Sequence, residues 1–325
     1  MVIRRMGVLT SGGDGPGYNP CLRAVVRMAL SLGVRVTGIK RGYTGLLNGE
    51  FVELTARSVG GIIDKGGTFL GTTRSLEFRS RRRQLEALRN LNEAEVDGLV
   101  VIGGDGTMRG AQQLHELGYP VMGVPGTIDN DVPGTDISIG VDTALNTALD
   151  AIDKIKDTAS SHQRAFVVEV MGRESGYLAL MAGLAGGAEM ICIPEVPFEL
   201  EDVARTITDA YIKGKAHAII CVAEGARYNA VAIADYLRER REEAGFSVRM
   251  TILGHIQRGG SPMAFDRMLG TRLGAAAARY LIEGRRGEMV GLIGNEVVTT
   301  PFTEVITRRR PIDVNTFRLA EMLAR

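Results

Sequence analysis

Three short glycine-rich segments of the sequence carry acidic or hydroxyl side chains. They are residues 10–17 (TSGGDGPG), 103–107 (GGDGT) and 125–131 (PGTIDND). Glycine lets backbone N–H groups approach phosphate oxygens, and the N-terminus of a following helix attracts an anion. Any one of these segments taken alone is most simply a tight turn between a strand and a helix. Three of them together, each with an acid, favour a phosphate-binding site.

The acids Asp105, Asp129 and Asp131 would repel a phosphate unless a cation or a proton-transfer role offset their charge. A divalent metal ion is the simplest compensation. The two common nucleotide-binding motifs do not fit, because no GxxxxGK[ST] sequence occurs and residues 13–17 lack the full GxGxxG spacing. Nucleotide binding in this chain therefore requires another architecture.

Short apolar segments alternate with helical patterns along the whole chain, which predicts an α/β protein with parallel sheets covered by helices. The predicted strands are 6–9, 34–39, 98–102, 121–124, 165–170, 190–193, 218–223, 250–253 and 289–293. The predicted helices are 20–32, 81–91, 107–117, 142–158, 175–185, 200–213, 231–243 and 262–283. Because ligands of doubly wound sheets bind beyond the carboxyl ends of the strands, we expect the three loops to converge on one crevice.

The composition is that of a globular protein of two domains, with 325 residues, 45% of them hydrophobic and 24% charged. A formal net charge of +1 provides no global field that would attract nucleic acid or an anionic membrane. No run of about 20 apolar residues predicts a membrane span. Three cysteines without metal-ligand spacing, and an N-terminus without a signal-peptide pattern, predict reduced thiols and a cytoplasmic protein.

The chain resembles the 6-phosphofructokinase family in six motifs and in their order. Besides the three loops, these are residues 67–74 (GTFLGTTR), 171–173 (MGR) and 253–262 (LGHIQRGGSP). GGDGT alone is weak evidence because lipid and NAD kinases carry a similar loop, whereas PGTIDND together with GHIQRGGSP is highly specific. The resemblance implies that the γ-phosphoryl group of ATP is transferred to the 1-hydroxyl of fructose 6-phosphate.

The resemblance also implies a fold, namely two doubly wound, Rossmann-like α/β domains with a cleft between them. The glycine-rich stretches 125–140 and 258–261 are the candidate points at which the chain passes between these domains. We expect an ATP-binding domain and a fructose 6-phosphate-binding domain, formed respectively by residues 1–140 with 257–307 and by residues 141–256 with 308–325.

The family pattern implies a role for each matching residue. Asp129 corresponds to the catalytic base, Asp105 to the acid that holds Mg²⁺ on the nucleotide, and Asp131 supports the metal or orients Asp129. Arg173 supplies positive charge at the transition state, and Gly13 and Thr127 lie at the reacting end of the substrates. The nucleotide-binding positions are Gly13, Arg74, Ser75, Gly104, Asp105, Gly106 and Thr107. The substrate-binding positions are Thr127, Asp129, Arg164, Met171, Gly172, Arg173, Glu224, Arg249, His255 and Arg258.

Three further expectations follow from the resemblance. Arg164 and Arg249 reach the active site of a neighbouring subunit, which implies a homotetramer. Pyrophosphate-dependent relatives typically have Asp and Lys at the positions of Gly106 and Gly126, so two glycines here favour ATP. A non-catalytic regulatory subunit would usually have lost the base or the metal-binding acid, whereas Asp129 and Asp105 are both present here. Lipid and NAD kinases do not explain the other motifs.

An effector site is the last expectation, and its residues are scattered through the sequence. Arg23 and Arg27 share one face of the first helix and match effector-phosphate arginines of bacterial relatives. Glu189 would hold the Mg²⁺ of bound ADP. The remaining matches are Lys213, Lys215 and His217, while Lys156, and Ala56 or Arg57, stand where arginines are usual. The alternative is that these residues only line a subunit interface. About four additional residues, relative to short bacterial forms, fall between 236 and 247.

Overall fold

The computed structural model describes residues 2–240 and 245–324. Its strands are β1 Arg5–Thr10, β2 Arg35–Ile39, β3 Phe51–Leu54, β4 Gly98–Gly103, β5 Val121–Pro125, β6 Arg164–Val170, β7 Met190–Cys192, β8 Ala218–Ala223, β9 Ser247–Ile252, β10 Glu288–Ile293 and β11 Glu296–Pro301. Its α-helices are α1 Tyr18–Ser31, α2 Gly42–Asn48, α3 Arg81–Glu93, α4 Asp105–Glu116, α5 Val141–His162, α6 Tyr177–Ala185, α7 Leu200–Ile212, α8 Ala230–Glu239, α9 Ala264–Ile282, α10 Phe302–Thr307 and α11 Val314–Leu323. The predicted α/β class is confirmed.

The chain divides into two compact units. Unit 1 comprises Met1–Thr143 and Arg258–Arg310, and unit 2 comprises Ala144–Gln257 and Pro311–Arg325. Each unit contains its own sheet with helices packed against it. No helix in the described part of the chain is long and apolar enough to cross a bilayer.

The sheet of unit 1 has the strand order β11-β10-β5-β4-β1-β2-β3. The five inner strands are parallel, and β3 and β11 are antiparallel strands at the two edges. These two edge strands were not predicted from the sequence, because both are half-exposed and so carry little continuous apolar pattern, and β3 has only four residues. The dipeptide Gly294-Asn295, which joins β10 to β11 in a tight hairpin, was the available signal.

The core of unit 1 lies on both faces of this sheet. Strand β4 is buried along its whole length, as its continuous apolar sequence GLVVIG leads one to expect for a central parallel strand. Helices α1 and α9 pack closely. A Cβ atom on Gly274 would lie only 2.5 Å from the carbonyl oxygen of Cys21, so only glycine fits at this position. Small residues on α9 therefore let the start of α1, beside the first glycine-rich loop, sit deep in the core.

The sheet of unit 2 has the order β7-β8-β6-β9 and is entirely parallel. Helix α5 continues to His162, beyond the predicted end at residue 158. Helices α2, α10 and α11 were not predicted; two of them have seven residues or fewer. The predicted helix 231–243 begins within one residue of α8. Its end, and part of the region 236–247 in which the additional residues were placed, lie outside the described part of the chain, because residues 241–244 are not described.

Candidate active site

The three glycine-rich loops follow β1, β4 and β5, which are adjacent parallel strands of unit 1. Backbone hydrogen bonds join the loops directly: Ser11 donates to Ile102 at 3.0 Å, and Gly126 donates to Gly103 at 2.9 Å. The hydroxyl of Thr107 donates to the carbonyl of Ser11 at 3.0 Å. The three loops therefore lie next to one another at the carboxyl ends of these strands.

The segment 67–74 lies against the first loop. The hydroxyl of Thr72 donates to the carbonyl of Gly12 at 2.8 Å, and the hydroxyl of Thr10 donates to the carbonyl of Gly71 at 2.9 Å. The Thr73 hydroxyl binds the Arg41 carbonyl at 2.8 Å. These bonds bring the chain to Arg74, whose side chain is exposed at the end of the segment.

The second loop places Asp105 in the first turn of α4. Its carboxylate accepts a hydrogen bond of 2.9 Å from Nε of Arg109, and the Asp105 side chain remains 44% exposed. A Cβ atom on Gly106 would meet no atom within 4 Å, so packing within the chain does not demand glycine there. The polar surface beside the helix N-terminus is thus open, as a phosphate or metal site requires.

The candidate metal site fits Mg²⁺ bound mainly by phosphate oxygens. Across residues 2–240 and 245–324, no group of three His, Cys, Asp or Glu side chains could hold a metal ion by itself. Mg²⁺ in phosphotransferases is typically held by one or two carboxylates together with substrate phosphates. An exposed carboxylate such as that of Asp105 is a suitable ligand of this kind.

The third loop holds Asp129 in a buried and well-braced position. Asp129 is 2% exposed, and its backbone N–H donates to the hydroxyl of Thr127 at 3.2 Å. Asn130 has a left-handed φ of 51°, which asparagine tolerates better than most residues. The Asn130 side chain accepts a bond from Ser138 N–H at 2.9 Å, and Thr127 N–H donates to Ile139 at 3.1 Å. The loop is therefore closed on itself around Asp129.

Two bracing residues of unit 1 were not predicted. The buried carboxylate of Asp266 accepts hydrogen bonds from the N–H of Gly140 at 2.8 Å, the N–H of Thr143 at 2.8 Å and the hydroxyl of Thr143 at 2.6 Å. Burial raises the pKa of Asp266, and these hydrogen bonds offset part of that rise. The second is Tyr18, which is fully buried between two of the loops. Neither residue belongs to a recognisable short motif.

Arg258 lies in unit 1, beside the first loop. It is 9% exposed, and its Nη1 atom is 3.8 Å from Oδ1 of Asp14. A Cβ atom on Gly13 would collide with this guanidinium group. The arginine was predicted to act with His255, which is exposed and belongs to unit 2.

Within unit 2, the structure brings Met171, Gly172, Arg173 and Glu224 together at the carboxyl ends of β6 and β8. The Glu224 carboxylate accepts hydrogen bonds from the N–H groups of Gly172 at 3.3 Å and Arg173 at 2.8 Å. The side-chain oxygen of Gln257 accepts one from Met171 N–H at 2.9 Å. Gln257 was not among the predicted site residues, although it lies inside the motif LGHIQRGGSP.

Arg164 and Arg249 lie far from that group in the same unit. Arg164 begins β6, and Arg249 is paired in register with Phe166 on the neighbouring strand. Met171 follows the other end of β6, so the strand separates Arg164 from Met171 by about 20 Å. A single copy of unit 2 does not bring these arginines to Glu224. Their assignment to a neighbouring subunit stays a prediction.

The predicted effector residues are divided between the units. Arg23 and Arg27 lie on α1 of unit 1. In unit 2, Glu189 accepts hydrogen bonds from Ile219 N–H at 2.5 Å and from Nζ of Lys215 at 3.3 Å, while Nζ of Lys156 binds the carbonyl of Gly186. Nδ1 of His217 is 2.8 Å from the Ser160 hydroxyl. A cavity of about 500 Å³ is lined by residues that include Glu189, Lys213, Lys215, Phe198 and Phe317.

The chain is an α/β protein with largely parallel sheets, in which polar, glycine-containing loops follow the carboxyl ends of three adjacent strands of unit 1. The family model described as Phosphofructokinase matches residues 5–281. The chain belongs to the phosphofructokinase family. The predicted resemblance is thereby confirmed.

Individual relatives agree with the family match. The chain is 50% identical over 322 residues to the ATP-dependent 6-phosphofructokinase of Bacillus pumilus, covering 99% of this chain and 100% of the relative. It is 52% identical over 323 residues to the ATP-dependent 6-phosphofructokinase 1 of Thermus thermophilus, with the same shares.

Solved structures show the same fold. A phosphofructokinase from Saccharomyces cerevisiae superimposes with a TM-score of 0.86 and 37% identity; the match covers 98% of this chain and 46% of the longer yeast chain. A pyrophosphate-dependent phosphofructokinase from Marinobacter aquaeolei gives a TM-score of 0.86 at 21% identity, covering 96% of this chain and 86% of the other. The latter likeness is one of fold alone.

Proposed function

We propose that this protein is an ATP-dependent 6-phosphofructokinase, a glycolytic phosphotransferase. It transfers the γ-phosphoryl group of ATP to the 1-hydroxyl of fructose 6-phosphate and releases fructose 1,6-bisphosphate and ADP. The observation that carries this proposal is the 50% and 52% identity, over the full length of the chain, to relatives of that name. A non-catalytic regulatory subunit is disfavoured, because the acids Asp105 and Asp129 are both present.

In this proposal Asp129 takes the proton from the attacking hydroxyl of the sugar. Its burial and the closed loop around it support this role, since a general base must be held within hydrogen-bond reach of its proton. Thr127 and Asp131 flank it in the same loop. Arg173 and the backbone N–H of Gly13 offset the charge that develops on the transferred phosphoryl group.

Asp105 is the proposed carboxylate ligand of Mg²⁺ on the nucleotide. The ion neutralises charge on the β- and γ-phosphates while the phosphoryl group is transferred. Gly104, Gly106 and Thr107 then lie beside the phosphates at the start of α4, where the helix N-terminus favours negative charge. Arg74 and Ser75 complete the nucleotide side from the segment braced against the first loop.

The proposed donor is ATP rather than pyrophosphate. The open space at Gly106 supports this choice, because packing does not explain the glycine whereas a nucleotide lying beside it would. At Gly126 a side chain has no room, since an added Cβ atom would lie 2.8 Å from Cζ of Tyr18. A lysine at this position, as in pyrophosphate-dependent relatives, is therefore incompatible with the present packing.

Unit 2 is the proposed sugar side, and unit 1 the proposed nucleotide side. Met171, Gly172 and Glu224 would contact the sugar, with His255 and Arg258 on its 6-phosphate. Arg164 begins β6 and Arg249 is the third residue of β9, both away from the carboxyl end of β6 that Met171 follows, which supports the proposal that these arginines complete the site of a neighbouring subunit in a homotetramer. Three buried free cysteines are consistent with a reducing cytoplasm.

We also propose an effector site that combines Arg23 and Arg27 with Lys156, Lys213, Lys215 and His217. Each oxygen of Glu189 already accepts one hydrogen bond, from Lys215 and from Ile219 N–H, so an effector-bound Mg²⁺ would use the remaining lone pairs of this carboxylate. Phosphoenolpyruvate should raise the apparent KM for fructose 6-phosphate, and ADP should reverse this effect. Hyperbolic kinetics insensitive to both ligands would contradict the effector site and leave the catalytic proposal intact.

A coupled assay for fructose 1,6-bisphosphate tests the main proposal. The wild-type chain should turn over with ATP and Mg²⁺, and not with pyrophosphate. Asp129→Ser should lower kcat by at least about 100-fold with little change in KM, because only proton transfer is removed. Asp235→Ser, on the exposed surface of α8, is the matched control. Near-normal turnover of the Asp129 variant would refute the assignment of the base.

A further inference from the structure

Tyr18 connects two of the glycine-rich loops across the strand that separates them. It is the first residue of α1 and is fully buried. Its hydroxyl donates a hydrogen bond to the carbonyl of Gly126 and lies 3.0 Å from the carbonyl oxygen of Gly13. Gly13 follows β1 and Gly126 follows β5, and β4 lies between these two strands. One phenolic oxygen thus sits between two loops that the sheet itself does not pair.

The ring of Tyr18 also fills the space between these loops. A Cβ atom on Gly126 would lie 2.8 Å from Cζ of Tyr18 and 3.0 Å from its hydroxyl oxygen. A Cβ atom on Gly15, in the first loop, would lie 3.4 Å from Cε2 of the ring. The tyrosine therefore leaves no room for a side chain at Gly126, and the backbones of both loops lie against its ring.

The hydroxyl remains a neutral donor in this environment. Burial raises the pKa of Tyr18; Arg258 lowers it, and Asp129 and Asp14 raise it. These charges all belong to the candidate active site of unit 1. A phenol that keeps its proton can donate one hydrogen bond to a backbone carbonyl at any physiological pH. Changes of pH in the physiological range therefore do not remove this hydrogen-bond donor.

We propose that the Tyr18 hydroxyl is a positioning group that sets the separation between the Gly13 loop and the loop that carries Asp129. This inference rests on the proposed phosphofructokinase function. Gly126 is three residues before Asp129, and Gly13 is the proposed backbone ligand of the transferred phosphoryl group. Without the hydroxyl, two carbonyl oxygens with partial negative charge face each other across a buried gap, and the loops move apart. Misplacement by about 1 Å between a nucleophile's base and its acceptor can cost about 100-fold in rate.

Tyr18→Phe removes only the hydroxyl and leaves the ring in place. Tyr119→Phe is the matched control, because the Tyr119 hydroxyl likewise donates to a backbone carbonyl, that of Val96, at 2.6 Å, and Tyr119 is also buried. We expect similar small decreases in Tm for both variants, since each loses one buried hydrogen bond. Only Tyr18→Phe should lower kcat, by about 10-fold or more, with KM for ATP and for fructose 6-phosphate within about threefold of wild type.

The wild-type assay separates this inference from the function on which it rests. If the wild-type chain does not phosphorylate fructose 6-phosphate, the proposed function fails. If it does, the positioning role is refuted by a Tyr18→Phe kcat within about twofold of wild type, or by an equal decrease in Tyr119→Phe. It is also refuted if Tyr18→Phe fails to fold while Tyr119→Phe folds, because the hydroxyl then serves folding rather than turnover.

Discussion

Gly225 should be intolerant of any side chain, because it lies directly against the turn that contains Arg173. A Cβ atom at this position would lie 2.8 Å from the carbonyl carbon of Arg173 and closer still to its oxygen. Outside their own and adjacent residues, real Cβ atoms essentially never come within 3.0 Å of another heavy atom. The obstacle is backbone rather than the end of a flexible side chain. Gly225→Ala must therefore push the turn away from the end of β8.

The displacement should be about 1 Å, and it acts on a residue with little freedom. Arg173 has a left-handed φ of 51°, and its N–H is tied at 2.8 Å to the carboxylate of Glu224, the neighbour of Gly225. We expect overpacking to lower the free energy of unfolding by about 1–3 kcal/mol. Displacing the proposed transition-state cation by about 1 Å should lower kcat/KM by about 100-fold, which corresponds to about 2.7 kcal/mol.

The assay is steady-state kinetics with ATP and fructose 6-phosphate, together with thermal unfolding. Gly284→Ala is the control: its left-handed φ of 96° makes alanine strained there, yet the added Cβ atom meets nothing within 4 Å. This control should lose about 1 kcal/mol of stability and no activity. If Gly225→Ala keeps more than about half of the wild-type kcat/KM, the geometric reasoning about Arg173 is refuted.

Three further predictions concern titration, thiol chemistry and the metal. Because burial raises the pKa of Asp266 above its ordinary 3.8, the stability that this group contributes is complete below that value and is lost as pH rises through the folded pKa. The stability advantage of wild type over Asp266→Asn in urea unfolding should therefore shrink as the pH rises above about 4; a difference that does not change with pH would contradict it. Burial raises the pKa of Cys221 to about 12, so Ellman's reagent should not react with the three buried cysteines until the protein is unfolded. EDTA should abolish turnover and excess Mg²⁺ should restore it; turnover that persists in EDTA would exclude the proposed role of Asp105.

Several parts of the fold were accessible from sequence because their signals are local. The central strands β4 and β8 are continuous apolar runs, and each of β1, β4 and β5 ends at a glycine-rich loop. Such an apolar run and the turn that ends it lie within about ten consecutive residues. A strand of this kind can therefore be predicted without knowing which strands it pairs with. The edge strands β3 and β11 were missed for the opposite reason: both are half-exposed, and each is defined by the antiparallel strand beside it.

The candidate site divides in the same way. Asp105, Asp129, Arg173 and Glu224 could be named from the type and order of the motifs in which they occur. Two supporting residues were missed: Gln257 accepts a hydrogen bond from Met171, 86 positions away, and Asp266 accepts hydrogen bonds from Gly140 and Thr143, 126 and 123 positions away. Such contacts leave no periodic pattern in the sequence.

The sequence by itself determined the family, the α/β class and the chemical character of each loop, since these depend on residue types within short segments. Only the tertiary structure decided that β4 lies between β1 and β5, and that Tyr18 connects the loops that follow β1 and β5. It also decided that Arg164 lies at the opposite end of β6 from Met171. The physical reason is that strand order and side-chain bridges are set by packing and hydrogen bonds between segments distant in the chain. Their free energy is a property of the assembled pair and of neither segment alone.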